Sequence, residues 1–408
     1  MTTAYSLARR GHAVTVIDAG SRAGHGASFA NGGQLSYSYV APLADASVWK
    51  ALPSYLLDRN SPLSWRPKLD IAQWRWIAKF LMACNRSASA HATTELLRLA
   101  FFSRDSLAAL QLELGLEFDF RTAGKLVMLP SKAALDSARR QIQFQQNLGC
   151  VQEVASIARC VEIEPALASA MHRWTGGVYT ASEQVGDCAT FCEQLAGALA
   201  QRQPGVRFSF DTTVTGAILS QGRVAALKSS SGDIAADAFV LANGVGSMKV
   251  ASAMGFGIPI YPLKGYSVTL STTPGDGHMP SVSVTDLSKK MVYARIGDRL
   301  RVAGRVEIVG DDLAVDERRC RALANEAKRL FPAISFDQDS IFPWAGLRPA
   351  TPTGIPIIGR GPISNVFLNT GHGALVWTLA CGSAELIASE IEGQAGPLDG
   401  RPFRYSLQ

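Results

Sequence analysis

One arginine stands in a segment whose backbone is restrained on both sides. Arg348 follows Gly346-Leu347 and precedes Pro349, and proline has a fixed backbone φ angle. A guanidinium held in one place can bind a carboxylate through two parallel hydrogen bonds. Arg348 is therefore a candidate clamp for an anionic ligand, and the alternative is a surface or interdomain salt bridge.

A second candidate site is the tripeptide Gly371-His372-Gly373, between a predicted strand (365–369) and a predicted helix (374–391). Backbone N–H groups in the first turn of a helix are unpaired and carry partial positive charge. They can stabilise negative charge on a ligand at the end of the strand. His372 then either contacts that ligand or is a buried histidine with a structural role.

Asp18 ends a strand predicted over 12–17, which follows a helix predicted over 2–10. In a dinucleotide-binding βαβ unit, an acidic residue at this position binds ribose hydroxyls about 20 residues after a glycine-rich phosphate turn. That spacing places the turn before Met1, so the sequence is expected to begin inside the unit, without its first strand and turn. Taken alone, Asp18 could equally be an ordinary turn residue.

The order of strands and helices predicts an α/β nucleotide-binding domain with insertions. The apolar run 238–242 is typical of a buried parallel strand, and it leads into Asn243-Gly244. Alternating segments within 261–309 predict an antiparallel sheet in a second, α+β domain. The predicted nucleotide-binding domain comprises 1–43, 151–260 and 335–408, and the predicted substrate domain comprises 44–150 and 261–334.

The composition indicates a folded protein and limits its partners. Of 408 residues, 47% are hydrophobic and 18% are charged, which is enough apolar surface for a large core. The formal charge of +6 is dispersed and forms no basic stripe, so we predict no nucleic-acid partner. The seven cysteines are scattered without a C-x-x-C pair, which argues against disulfides and zinc. We predict no metal site and a reducing compartment.

Tryptophans alternate with basic residues between Trp49 and Cys84, a composition found in helices that lie at a membrane surface. The alternative is that these rings pack one domain onto the other. No uninterrupted apolar run approaches the roughly 18 residues of a membrane-spanning helix. We therefore expect a soluble or peripheral protein.

Four segments resemble, in order and spacing, those of FAD-dependent D-amino acid dehydrogenases of the small-subunit type. This family lies within the glycine, sarcosine and D-amino acid oxidase-like flavoproteins. The segments are 26–38, 262–267, 344–352 and 369–378. The resemblance spans essentially the whole chain. It implies a Rossmann-like FAD-binding domain and oxidation of a D-amino acid by hydride transfer to FAD. The products would be a 2-oxo acid and ammonia, and a quinone or another respiratory carrier would take the electrons.

The resemblance also implies roles for individual residues. Arg348 would bind the substrate carboxylate, Tyr266 would border the substrate, and His372 would face substrate or flavin, with core packing as the alternative for Tyr266. The implied FAD contacts are Asp18, Ser28, Asn31, Gly32, Gly33, Gln34, Val214, Ala242, Asn243, Gly244, Gly371, His372, Gly373, Ala374 and Leu375. Thr353 departs from the family, which usually has Asp before the following glycine, and this could alter a turn or a flavin contact.

Two alternatives remain open from the sequence. The first is an oxidase or dehydrogenase of glycine, sarcosine or D-hydroxyproline, which would share nearly all of these residues. The second is a chain with impaired FAD binding, since the glycine-rich turn is absent from the sequence. The expected location is the cytoplasm, at the cytoplasmic face of the inner membrane if the electron carrier lies there.

Overall fold

The computed structural model describes residues 1–57, 63–336 and 340–405. Its helices, α1 to α10 in chain order, are Thr2–Arg9, Val48–Leu57, Ile71–Ala83, Arg86–Leu114, Lys132–Gln146, Ile157–Ile163, Cys188–Arg202, Ser247–Ala253, Glu317–Leu330 and Val376–Glu392. Its strands, β1 to β20, are Val14–Ile17, Gln34–Leu35, Leu63–Trp65, Arg121–Thr122, Lys125–Leu129, Glu153–Ala155, Gly176–Thr180, Gln184–Val185, Val206–Ser209, Val214–Ser220, Arg223–Ser229, Gly232–Ala235, Phe239–Leu241, Tyr261–Ser271, Ser283–Asp286, Met291–Ile296, Arg299–Ile308, Ile341–Ala350, Ile357–Arg360 and Val366–Thr370.

Polar side chains cap several helices, as their positions in the sequence predict. Asp187 accepts hydrogen bonds from the N–H groups of Ala189 and Thr190 and so caps the start of α7. Asp316 caps α9 in the same way. Gly115 ends the long helix α4 in the left-handed conformation, at φ 61°, which glycine adopts without steric cost.

Parallel strands form the nucleotide-binding part. β1 pairs with β9 in parallel, and β13 pairs in parallel with β20, which also binds β19 in antiparallel register. A separate antiparallel sheet contains β10, β11 and β12. Helices α1 and α10 pack together, and α4 packs along α10, so one apolar core joins these elements.

A nine-stranded sheet forms the second part of the fold. Its order is β18-β14-β17-β16-β15-β5-β7-β6, and β3 pairs separately with β17. Most pairs are antiparallel, so the predicted α/β fold with a second, antiparallel sheet is confirmed. One face of the sheet is apolar and is covered by α9, which buries Cys320, Leu323 and Ala327 against Val268 and Tyr293.

The strand pairing departs from the predicted domain division at three strands. β6, β7 and β18 lie in the nine-stranded sheet, although the prediction assigned their residues to the nucleotide-binding segments. Conversely, α4, predicted for the substrate domain, packs on α10. The reason is that hydrogen bonding joins strands that are far apart in the chain, and periodicity does not reveal the partner of a strand.

The Trp-rich segment is divided between core and surface. Trp76 stacks on Phe80 with ring centroids 5.1 Å apart, and its indole N–H donates to the carbonyl of Ala350. Trp74 and Trp49 are about half exposed. The segment therefore contributes both to packing and to the surface.

One helical stretch, Gly373–Glu392, is long and apolar enough by composition to cross a membrane, which the sequence interpretation did not anticipate. Of the most apolar 18 residues of this stretch, 61% are buried within the protein, where α10 packs against α4 and α1. Such burial is typical of the core helix of a globular protein.

Candidate functional site

The nine-stranded sheet has a second face that is unusually polar. Side chains alternate between the two faces along each strand, and residues paired across neighbouring strands lie on the same face. The strand register therefore shows which side chains from the different strands lie together on this second face. We call this the polar face, and its polar members include Lys125, Ser267, Ser283, Thr285, Arg301 and Arg348. It is the face opposite to the one that α9 covers.

The loop of residues 26–33 is hydrogen-bonded to the polar face. Ser267 donates its hydroxyl hydrogen to the carbonyl of Ala30 at 2.6 Å, and Arg301 donates from Nη1 to the carbonyl of Asn31 at 2.7 Å. Gly33 has φ +69°, and a Cβ there would lie 2.5 Å from Ile296 Cδ1. Only glycine allows this approach of loop backbone to sheet.

Arg348 projects from β18 across the neighbouring strand. A Cβ built on Gly265 would lie 2.5 Å from both Cζ and Nη2 of Arg348, so the guanidinium rests directly on the glycine. Among the residues that the structure describes, buried Nη1 has no hydrogen-bond partner. Burial also lowers the pKa of Arg348. A half-buried cation with an unsatisfied N–H group is costly, so the arrangement suits an anionic ligand such as a carboxylate.

Other buried polar atoms near this face lack partners in the described part of the chain. They are Nε2 of Gln34, Oγ of Ser283, Oγ1 of Thr285 and Nε of Arg301. Buried polar groups in folded proteins are nearly always hydrogen-bonded, so a cluster of unpaired ones marks a place where a ligand or water supplies the partners. The donors and the glycine-lined loop fit a large polar heterocycle such as a flavin.

The start of α10 lies beside the strand that carries Arg348. Gly371 has φ +84°, and a Cβ there would lie 2.7 Å from Cγ2 of Thr351, directly after β18. A backbone bridge joins Ala350 to His372. The first turn of the helix, Gly373–Leu375, therefore lies near the edge of the polar face, and within it the N–H of Leu375 donates to the carbonyl of His372.

His372 itself is held by the helix that follows it. Its Nε2 lies 2.9 Å from Oγ of Ser383, and burial lowers its pKa to about 4, so the ring is neutral near pH 7. The structure thus gives the His372 side chain a structural contact.

The structure separates Tyr266 from Arg348. Tyr266 lies on the face covered by α9, where its hydroxyl donates to Oε2 of Glu307 at 2.7 Å. Lys264 shares that face and pairs with Asp312. The sequence suggested that Tyr266 borders the substrate, but strand alternation brings Gly265 and Ser267 to the polar face instead.

Several predicted cofactor contacts follow the carboxyl ends of parallel strands. Asp18 follows β1, Ala242-Asn243-Gly244 follows β13, and Gly371 follows β20. The Asp18 carboxylate accepts from the N–H of Gly20, and Thr370 donates its hydroxyl hydrogen to the carbonyl of Gly244 at 3.1 Å. Nucleotides bind at this end of open α/β sheets, so these residues are well placed for one.

The remaining predicted contacts lie outside that edge. Ser28 is half-buried in the loop that covers the polar face, and Val214 begins β10 in the small antiparallel sheet. Ala374 and Leu375 lie in the first turn before α10.

Sequence reasoning missed the other polar-face residues, above all Lys125, Arg301, Ser283 and Thr285. They lie in three strands, Lys125–Leu129, Ser283–Asp286 and Arg299–Ile308, and the sequence does not show that these strands pair and bring the four side chains to one face. The one signal in the sequence was a lysine in the apolar run Lys125–Leu129, which is fully buried. A buried lysine is rare enough to mark a site for attention.

Comparison with known proteins gives consistent results. A family model described as "FAD dependent oxidoreductase" matches residues 1–390. The "D-amino acid dehydrogenase 2" of Ralstonia nicotianae is 43% identical over 411 residues, covering 99% of this chain and 96% of that protein. The protein of the same name from Pseudomonas aeruginosa is 43% identical over 401 residues, covering 98% and 94%. The crystal structure of glycine oxidase from Geobacillus kaustophilus superposes with a TM-score of 0.77 at 21% identity, covering 100% and 95%.

Proposed function

Since this chain belongs to the family of FAD-dependent oxidoreductases, we propose that it oxidises D-amino acids to 2-oxo acids and ammonia. The observation that carries the proposal is the guanidinium of Arg348, which rests on Gly265 and whose buried Nη1 has no partner among the described residues. The names of the similar proteins from Ralstonia nicotianae and Pseudomonas aeruginosa support the D-amino acid as substrate.

Bound FAD would supply the hydride acceptor for oxidation at the α-carbon, and water would hydrolyse the 2-imino acid product to the 2-oxo acid and ammonia. The residues that would hold it are the loop Asn31 to Gln34, the turn Gly371 to Leu375, and Asp18 at the end of β1. The helix start at Gly373 would stabilise negative charge on the cofactor.

Arg348 would bind the substrate carboxylate and thereby place the α-hydrogen. Amino acid oxidation requires this positioning more than a strong base, because the neutral amine supplies the electron pair that supports hydride departure. Gly265 leaves room for the guanidinium of Arg348, and Gly346 leaves room for the ring of Trp344, since a Cβ on either glycine would overlap that group.

We further propose that the enzyme passes its electrons to a quinone or another respiratory carrier at the cytoplasmic face of the inner membrane. Helix α3 carries an exposed apolar stripe at helical spacing, with Ile71 72%, Trp74 48% and Met82 78% exposed. Arg75 is exposed on the same helix and Lys68 just before it. Such a surface suits peripheral binding to an anionic membrane. All seven cysteines are free thiols, which agrees with a reducing compartment.

A substrate screen tests the proposal directly. The purified protein, saturated with FAD, is offered D- and L-amino acids with an artificial electron acceptor, and 2-oxo acid and ammonia are measured. We expect turnover of several D-amino acids, little turnover of L-amino acids, and little peroxide under air. Turnover restricted to glycine, sarcosine or hydroxyproline, or stoichiometric peroxide, would contradict it.

A further inference from the structure

A lysine is buried near the proposed flavin site without a close carboxylate. Lys125, on β5, is only 3% exposed. Its ammonium donates to Oε1 of Gln34 and to Oγ of Ser36, both at 2.9 Å, and lies 4.4 Å from the centroid of the Tyr39 ring. Its contacts therefore lie mainly in the segment that directly follows the loop of residues 26–33.

The charge of Lys125 is poorly compensated. Among the described residues, no carboxylate lies within 4.0 Å of its ammonium, and burial lowers the pKa of Lys125 to about 8. Glu183 is the charged group that opposes this shift, and its Oε1 accepts from the N–H of Ser38. A buried ammonium whose direct hydrogen-bond partners are neutral costs stability, and Glu183 offsets only part of that cost.

Lys125 dictates which way the Gln34 amide points. An ammonium can only donate hydrogen bonds, so the amide must turn its oxygen toward Lys125. Its NH₂ group then points away from the lysine. That nitrogen, Nε2 of Gln34, is buried and has no partner among the residues that the structure describes.

We infer that Lys125 is a positioning residue that holds the Gln34 amide with its NH₂ group as a donor to an acceptor edge of bound flavin. This inference rests on the proposed position of the flavin beside residues 31 to 34. An unpaired donor next to the glycine pair Gly32-Gly33 has a partner when a heterocycle with carbonyl and ring-nitrogen acceptors lies there. A donor in this place stabilises the electron-rich, reduced form and so raises the midpoint potential.

The test compares the single variants Gln34→Met and Lys125→Met with their double variant. The dissociation constant of FAD is measured by fluorescence titration, and the midpoint potential by spectroelectrochemistry. We expect Gln34→Met to weaken FAD binding about tenfold, the effect of one lost hydrogen bond to a buried acceptor, and to make the potential more negative. Lys125→Met should act in the same direction. The double variant should resemble Gln34→Met, because Lys125 acts through the amide.

Gln34→Glu adds a sharper test, because it replaces the NH₂ donor with an oxygen while leaving the partner of Lys125 in place. It should weaken FAD binding more than Gln34→Met does. Lys132→Met, an exposed lysine on α5, is the matched control and should change neither quantity.

Three outcomes would overturn the inference. The first is that Lys125→Met has the same dissociation constant for FAD and the same midpoint potential as Lys132→Met. The second is that the effects of the two single variants multiply in the double variant. The third is that KM for the amino acid changes while both flavin quantities stay constant, which would place the amide against substrate. If Lys125→Met does not fold, unchanged FAD binding and potential in Gln34→Met and Gln34→Glu overturn it equally. None of these readouts depends on D-amino acid turnover, so the proposed function can fail separately.

Discussion

The guanidinium of Arg348 rests on Gly265, two residues along β14 from Leu263, its cross-strand partner. A Cβ on Gly265 would lie 2.5 Å from Cζ of the arginine. The position of the Arg348 guanidinium therefore depends on the missing side chain of Gly265, although 83 positions separate the two residues in the chain.

Replacing that glycine should disable the arginine without removing it. In Gly265→Ala the new methyl group displaces the guanidinium, so we expect kcat/KM for a D-amino acid to fall about 10- to 100-fold, mainly through KM. Gly257→Ala is the control, since a Cβ there meets no atom within 4 Å. Wild-type kinetics in Gly265→Ala would show that the contact has no role.

Removing Arg348 should have a larger effect on catalysis. Arg348→Ala is expected to cost on the order of 2 to 5 kcal/mol in kcat/KM, since the substrate carboxylate loses its charge partner. Steady-state kinetics with a D-amino acid and with the matching amine, which has no carboxylate, measure this. We expect the full decrease in kcat/KM only for the amino acid. An equal decrease for the amino acid and the amine would refute the assignment of Arg348 to the carboxylate.

A substitution of Arg348 also tests its role in the absence of cofactor, because the free energy of unfolding should rise or fall according to whether Arg348 has a structural partner. In the apoprotein, Arg348→Met replaces a half-buried cation, whose buried Nη1 has no partner among the described residues, with an apolar side chain of similar length. The free energy of unfolding should stay equal or rise. Denaturant unfolding without cofactor measures it, and a clear loss would mean that Arg348 is a structural ion-pair residue.

Tyr266 should matter for stability rather than for catalysis. Tyr266→Phe removes a buried hydrogen bond to Glu307 on the face covered by α9, which is expected to cost about 1 to 3 kcal/mol. Since the ring does not share a face with Arg348, kcat/KM should stay within about twofold. Denaturant unfolding and steady-state kinetics on the same preparation separate the two effects. A large decrease in kcat/KM with an unchanged free energy of unfolding would show that Tyr266 contacts the substrate.

Acidification should destabilise the protein through His372. Burial lowers its pKa in the folded protein to about 4. Below pH 6.5 the unfolded chain therefore binds a proton that the folded protein does not, and stability falls with pH through this window. The contribution is roughly 2 kcal/mol between pH 7 and pH 5. His372→Gln should lose this part of the pH dependence of unfolding, with His91→Gln on the exposed side of α4 as control. An unchanged pH dependence in His372→Gln would contradict the shift.

The stripe on α3 predicts a measurable membrane affinity. Replacing Ile71, Trp74 and Met82 together by serine should reduce sedimentation with anionic phospholipid vesicles several-fold, and high salt should weaken binding of the unchanged protein. Leu112→Ser is the control, because Leu112 is 90% exposed on another helix. Equal sedimentation of both variants would exclude this surface.

The residues around Arg348 and Tyr266 show how far the sequence could lead. Four local segments, each readable as a run of neighbouring residues, predicted the family, the FAD cofactor and Arg348 as a candidate clamp. The resemblance treated 262–267 as one segment near the site. In the structure, alternate residues of that segment face opposite sides of the sheet, and Gly265 and Ser267 face the loop while Tyr266 faces α9.

The amino-acid sequence by itself determined what is local in this protein: the helix caps, the glycines of the close approaches, and the motifs that identify the family. The tertiary structure alone decided which distant side chains share one face, such as Lys125 beside Gln34 and Arg301 beside Asn31. The physical reason is that a shift of one residue in strand register moves every side chain to the other face. Long-range hydrogen bonding and core packing set that register, and neither can be read from neighbouring residues.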